Sequence, residues 1–230
     1  MPGWWLRPTA AVGWTGRFRW TPRSIVRIST RPPWPGSNGP PAASQGAEAN
    51  YTIRSADPGA EPLDHALGRS RGGLSTKIHQ LVDGHGRPLV IALTAGQAHD
   101  SPMLKVLLAD LAVARLAGGR PRTRPDALVG DKAYSSRGNR ELLRSKRVKT
   151  VIPQPADQIA HRNRRGSAGG RPPTFDIVTY KGRNVIERSF NDHKQWRGLA
   201  TRYDKLGITY RGGVVLRAIV IWLRQLGDTP

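Results

Sequence analysis

Ser75-Thr76-Lys77-Ile78-His79-Gln80-Leu81-Val82-Asp83-Gly84-His85-Gly86-Arg87-Pro88-Leu89-Val90-Ile91-Ala92-Leu93-Thr94 decides how the chain is read. Ser75 to Val82 and Pro88 to Thr94 are strand-like, rich in β-branched and aliphatic residues. Asp83-Gly84-His85-Gly86 between them is turn chemistry, so the stretch predicts a β-hairpin. Downstream, Ser101 to Ala117 carries apolar residues at Met103, Val106, Leu107, Leu111 and Val113, which suits a helix. Asp126 to Gly130 is a short apolar strand ending at Asp131. Arg137 to Lys146 reads as a helix, and Thr150 to Ile152 as a strand closed by Pro153. Gln154 to Pro173 is a basic loop rich in Gly and Arg. Phe175 to Trp196 reads as one helix, residues 197 to 210 as a connector, and Gly212 to Leu226 as a last helix. A hairpin, then alternating helix and strand, then terminal helices predicts an α/β fold.

Upstream the text changes character. Residues 1 to 62 hold five of the seven tryptophans and sustain neither a period of 2 nor of 3.6. Pro32, Pro33, Pro35, Pro40 and Pro41 oppose any regular element there. The expected organisation is a disordered or out-of-frame segment over 1–62, a catalytic domain over 63–226 and a short tail over 227–230.

Composition narrows the partner. With 37 Lys+Arg against 16 Asp+Glu, the formal charge is +21, a field that attracts polyanions. A nucleic-acid binder, a ribosomal-type protein and a membrane-surface binder all fit that charge. The chain has no cysteine, which excludes disulfides, zinc–thiolate sites and cysteine nucleophiles. No apolar run reaches the roughly 20 residues that span a bilayer. Val214 to Leu223 is interrupted by Arg217 and reads as a buried helix, and Arg7 and Pro8 break any leader-like apolar stretch.

Two segments carry candidate chemistry. The first is Val129-Gly130-Asp131-Lys132-Ala133-Tyr134. An acid that follows a buried strand emerges at the sheet rim, where open α/β sheets bind ligands; the plainer reading is a helix cap. The second is Tyr180-Lys181-Gly182-Arg183-Asn184-Val185-Ile186-Glu187, continued through Arg188 to Lys194. On one helix Tyr180, Arg183, Glu187 and Lys194 would share a face, with Val185, Ile186 and Phe190 left to meet the core. Periodicity alone allows a solvated face with an i,i+4 pair between Arg183 and Glu187. His79 and His99 are expected to be structural, and Asp100 to cap the helix beginning near Ser101. The basic stretch from His161 to Arg171 is either a DNA-tracking loop or a solvated linker.

The pattern Tyr-x2-Arg-x3-Glu-x6-Lys at Tyr180, Arg183, Glu187 and Lys194 resembles the signature of insertion-sequence transposases of the DDE type. Flanking text is similar too: Asp64-His65-Ala66-Leu67-Gly68-Arg69-Ser70 through His79, Gly96-Gln97-Ala98-His99-Asp100-Ser101, Gly130-Asp131-Lys132-Ala133-Tyr134 and Arg202-Tyr203-Asp204-Lys205. This resemblance covers about residues 62 to 226. It implies a ribonuclease H-like mixed sheet flanked by helices, with Asp131 as the second catalytic acid and Glu187 as the third, both metal ligands. It implies a two-ion Mg2+ site, with Mn2+ as a substitute, that cleaves and joins DNA. Arg183 and Lys194 would hold phosphates beside Glu187, and Tyr180, Lys132, Arg188 and Arg197 would be further DNA contacts. The implied partners are double-stranded DNA, as terminal inverted repeats and target, and a second copy in a homodimer. The implied setting is the bacterial cytoplasm at the nucleoid. A ribosomal or other RNA-binding protein explains the charge but not this pattern.

A DDE site needs a first acid, on a strand before Ser75. No Asp or Glu precedes Glu48, while Asp57, Glu61 and Asp64 sit in turn-like text and Asp83 at a hairpin tip. A proper first strand is therefore expected to be lacking. Back-translation suggests why. Read from the third base of each codon, Trp14-Thr15 and Trp20-Thr21 each yield GAC, an Asp codon. The shifted text over 13–24 can be an alternating strand ending in Asp, similar to the family's first-acid strand. On this reading residues 1 to about 60 are out of frame, and the product is a truncated or frameshifted copy that binds metal weakly and cleaves poorly or not at all. The alternative is a catalytically dead, basic DNA-binding remnant.

Overall fold

The computed structural model describes residues 25–31, 64–70, 73–115 and 118–226, the first group as a backbone strand. The strands are β1 (Ile25–Arg31), β2 (Gly68–Ser70), β3 (Gly73–Val82), β4 (Pro88–Ala95), β5 (Ala127–Gly130) and β6 (Lys149–Val151). The helices are α1 (Met103–Ala109), α2 (Arg137–Ser145), α3 (Ala156–Arg164), α4 (Ile177–Lys181), α5 (Asn184–Lys194), α6 (Arg197–Ala200) and α7 (Gly207–Leu226).

The predicted hairpin forms as β3 and β4, antiparallel with Ile78 opposite Leu93. Its turn is held by Asp83, whose Oδ1 accepts from the backbone N–H of His85 and of Arg87. Gly86 closes it at φ +90, a conformation that favours glycine. β3 then pairs on its other edge with β1, antiparallel, with Thr30 opposite His79. β1 pairs in parallel with β5, and β5 in parallel with β6. The sheet therefore runs β4-β3-β1-β5-β6, with β2 hydrogen-bonded to the start of β3.

Alternation along the strands gives the sheet two buried faces. Leu81, Val90, Ala92 and Leu128 meet Leu104, Leu107 and Leu108 of α1 and Leu143 of α2 in one core. Ile78, Val82, Ile91 and Leu93 meet Ile186 and Phe190 of α5, Leu199 of α6 and Tyr210 and Val214 of α7 in the other. Burial on both faces explains why β3 and β4 read as nearly continuous apolar runs. The result is a three-layer α/β fold with a mixed sheet.

Several expectations are corrected. The expected loss of a first strand does not hold: Ile25–Arg31 is a strand in the middle of the sheet. Ile25, Val26, Ile28 and Thr30 are β-branched, and β3 and β5 offer hydrogen-bonding edges on both sides. The disorder or frame expectation for the rest of 1–62, and the tail expected at 227–230, lie outside the described residues. The helix expected from Ser101 to Ala117 is confined to Met103–Ala109; beyond it Leu111 stays in the core and Val113 bridges Arg122. The expected loop over 154–173 contains α3, whose polar sequence has no apolar period to announce it. The single helix expected over 175–196 is two helices, broken at Gly182. None of the described helices is long and apolar enough to cross a membrane.

Candidate active site

Asp131 immediately follows β5 in an extended conformation and caps the 3-10 turn Lys132–Tyr134. Its Oδ1 accepts from the backbone N–H of Ala133 at 2.9 Å. The capping reading of the sequence is thus observed, and it occupies only one of the two carboxylate oxygens. Burial raises the Asp131 carboxyl above its ordinary value. The Ala133 N–H and the charge of Arg183 pull it back, and Asp100 pushes it up again. This carboxylate is short of positive partners and would gain from a cation.

Glu187 lies in the first turn of α5, half-buried, on the helix whose Val185, Ile186 and Phe190 are buried. Arg183, at the N-cap position of α5, donates from Nη2 to Glu187 Oε1 at 2.7 Å. The same guanidinium acts electrostatically on Asp131 and lies over the Tyr180 ring at 5.8 Å. One arginine therefore bonds one acid and acts electrostatically on the other, although 56 positions separate the two acids in the chain (187 − 131). α5 lies against β1, the strand next to β5, and Gln80 of β3 donates to Ser189 of α5 at 3.3 Å. Those contacts seat the acid-bearing helix against the sheet.

The remaining predicted residues separate. Tyr180 is on α4, off the α5 face, and packs on Phe175 at 5.1 Å between ring centroids. The four signature residues are therefore carried by two helices, with the break at Gly182 between Tyr180 and Arg183. Lys194 closes α5, and it is exposed, as are Lys132, Arg188 and Arg197. Asp100 does not cap α1 with its side chain: its Oδ1 accepts from Lys77 Nζ at 2.8 Å. His79 is buried and shares a hydrogen bond with Thr94 at 2.7 Å, the structural role expected of it; burial pushes its imidazole down to about 4. His99 is exposed beside Asp100.

Sequence reasoning missed the groups that brace the rim. Lys77 holds both Ala98 O and Asp100. Asn139 Nδ2 donates to Ser101 and to Tyr134 O, and so ties the turn after Asp131 to the loop before α1. Ser136, the cap of α2, was readable from its place ahead of a helix; the other ties leave no mark in the sequence. Arg202 of the Arg-Tyr-Asp-Lys segment is a brace too. It donates to Ala66 O and Thr76 Oγ1 and lies over the Tyr210 ring.

The first acid that the family resemblance implies is not found on β1. β1 reads Ile-Val-Arg-Ile-Ser-Thr-Arg, and Ile28 pairs with Gly130, so Ser29 is the next position, level with Asp131. Among the described residues, no three His, Asp or Glu side chains gather as a metal cage.

Comparisons with known proteins bear on the whole domain. The family model of the transposase DDE domain matches residues 51–219. A Brucella ovis protein named as a transposase for insertion sequence element IS6501 is 32% identical over 151 residues, covering 66% of this chain and 100% of that relative. The crystal structure of a pre-cleavage Mos1 transpososome aligns at 15% identity and a TM-score of 0.33, over 89% of this chain and 55% of that one, too distant to bear on the site. The match over residues 51–219 and the full-length relative show that this chain belongs to the DDE-type transposases of insertion sequences.

Proposed function

We propose that the chain is a DNA transposase whose site performs metal-dependent strand cleavage and strand transfer at insertion-sequence ends, with Asp131 and Glu187 as its metal ligands. One observation carries this reading: Arg183, bonded to Glu187 on α5, also acts electrostatically on Asp131 after β5. The strand order β4-β3-β1-β5-β6, with β1 antiparallel to β3 and parallel to β5, supports a ribonuclease H-like assignment.

The donor set fits a hard divalent cation. Two carboxylates, each with one oxygen outside the hydrogen bonds to Ala133 and Arg183, suit Mg2+ or Mn2+ sharing its shell with phosphate. When bound, the ion supplies charge that favours attack on the phosphodiester and stabilises the leaving oxygen. A two-ion arrangement needs a further carboxylate, and β1 carries none, so these residues fit one ion. Arg183, once released from Glu187, is placed to hold a phosphate beside it. Lys132, Arg188, Lys194 and Arg197 present exposed cations for the flanking backbone of terminal-repeat and target DNA. Tyr180, with its ring beside the Arg183 guanidinium, is either a further DNA contact or a support for that cation. Pairing of two ends calls for two copies of the chain.

A second reading, a DNA-binding remnant without activity, is favoured by the missing acid on β1. Nicking of inverted-repeat DNA by the purified chain separates the two. Slow nicking that needs Mg2+ or Mn2+ and disappears in Glu187→Gln supports the enzyme. Salt-sensitive binding with no nicking in either ion supports the remnant.

A further inference from the structure

α3 and the 3-10 turn that follows it, Gly166–Gly169, bury no residue at all. A helix that is polar all round contributes little to a core, so its retention as a compact shape needs another reason. Compact it is: a Cβ added at Gly169 would meet Arg162 O at 2.2 Å, so the turn lies directly on the backbone of α3. The arm carries His161, Arg162, Arg164, Arg165 and Arg171, and Asp157 is its one carboxylate between 154 and 173. Four arginines this close repel one another, a cost that a polyanion would relieve.

The arm is also placed. Gln158 Nε2 donates to Ser135 Oγ at 2.9 Å, and Arg162 donates to Gln154 Oε1. Ser135 closes the turn that begins at Asp131, with its N–H donating to Lys132 O at 3.1 Å. A 3-10 turn rises about 2 Å per residue, so the anchor sits within about 8 Å of Asp131 along the chain. α3 is thus pinned beside the candidate active site by a polar bond rather than by apolar packing.

We propose that this arm clamps the phosphate backbone of double-stranded DNA leading away from the candidate active site, without reading sequence. The proposal rests on the reading of that site as one that acts on DNA, and it adds a separate contact surface. Arginine forks match phosphate oxygens in pairs, and apart from Ile159 and His161 the arm offers no large apolar or aromatic side chain suited to unstacked bases.

The test is binding of the full chain, without divalent metal, to a fluorescent duplex DNA of arbitrary sequence across a salt series. Arg164→Ala with Arg165→Ala removes two exposed charges where nothing is buried, so folding is untouched. The slope of log affinity against log salt is expected to become shallower by about 1.8, the counterions of two phosphates. Arg120→Ala with Arg124→Ala removes two exposed charges ahead of β5, at the strand end away from Asp131, and should leave the slope alone. An unchanged slope in the arm variant, or an equal change in both variants, overturns the arm while leaving the metal-site reading standing. A parent chain that binds no duplex DNA overturns both. Tighter binding to a matched RNA duplex overturns DNA as the partner.

Discussion

β1 and β5 lie side by side and parallel, yet only one of them leads into an acid. β5 is Ala-Leu-Val-Gly, fully buried, and is followed by Asp131; β1 is paired to it residue by residue, with Ile28 opposite Gly130 and Ser29 next in register. A strand needs β-branched residues and two edges to pair with, and those requirements say nothing about an acid. The contrast teaches that the sheet can be completed while the metal site is not. It also offers a repair. Ser29→Asp restores a carboxylate level with Asp131, and metal-dependent nicking is expected to rise on the order of 1,000-fold, the scale attached to one preorganised charge stabiliser. Thr30→Asp, one position out of register, should give no such gain. Equal rates from both variants in a nicking assay would break the comparison, because position on β1 would then not matter.

The other neighbour of β1 offers a test by pH. His79 pairs with Thr30 across the sheet and is buried with its imidazole pushed down to about 4, from an ordinary value near 6.5. The unfolded chain therefore binds the extra proton between about pH 6.5 and 4, while the folded chain stays neutral there. Stability is held above that window and lost as pH falls through it, by about 3 kcal/mol at most. Urea denaturation across pH 7 to 4 should show this slope, flattened in His79→Gln. His193 is buried too, with its imidazole pushed down by burial, so part of the slope remains; a slope left undiminished by the substitution would show that His79 is not a source of it.

On the β5 side, Asp131→Asn keeps the cap acceptor for Ala133 and removes the charge. Mn2+ affinity measured by calorimetry should fall roughly 30-fold, because a neutral amide oxygen is a far poorer partner for a hard cation. Unaltered affinity would place the ion elsewhere and leave Asp131 as a cap alone.

How much of this was readable depended on periodicity. β3 and β4 announced themselves because alternating contacts to two cores leave a long apolar run, and α5 because Val185, Ile186 and Phe190 mark a buried face. Asp131 and Glu187 were found through motif resemblance, since a lone acid after a strand and an i,i+4 pair are common on any surface. β1 was lost among prolines, with seven residues too few to outweigh them. α3 was lost because a helix that buries nothing has no apolar period. The Arg183–Glu187 pair was readable from its i,i+4 spacing, but the influence of Arg183 on Asp131 was not, because it depends on how α5 lies on the sheet.

α5 and α3 turn that difference into a measurement. Ile186 is fully buried on the helix that lies against β1, whereas Ile159 on α3 is 38% exposed. Ile186→Val removes one methyl group from a closed core and should cost about 1 kcal/mol in urea denaturation. Ile159→Val removes the same group from a surface that water already reaches, and should change stability by less than about 0.5 kcal/mol. The chemical change is identical, so the two values differ only through packing. If Ile186→Val were as harmless as Ile159→Val, α5 would not be seated on the sheet. The proposed pairing of Glu187 with Asp131 would then lose its structural basis, whatever the motif suggests.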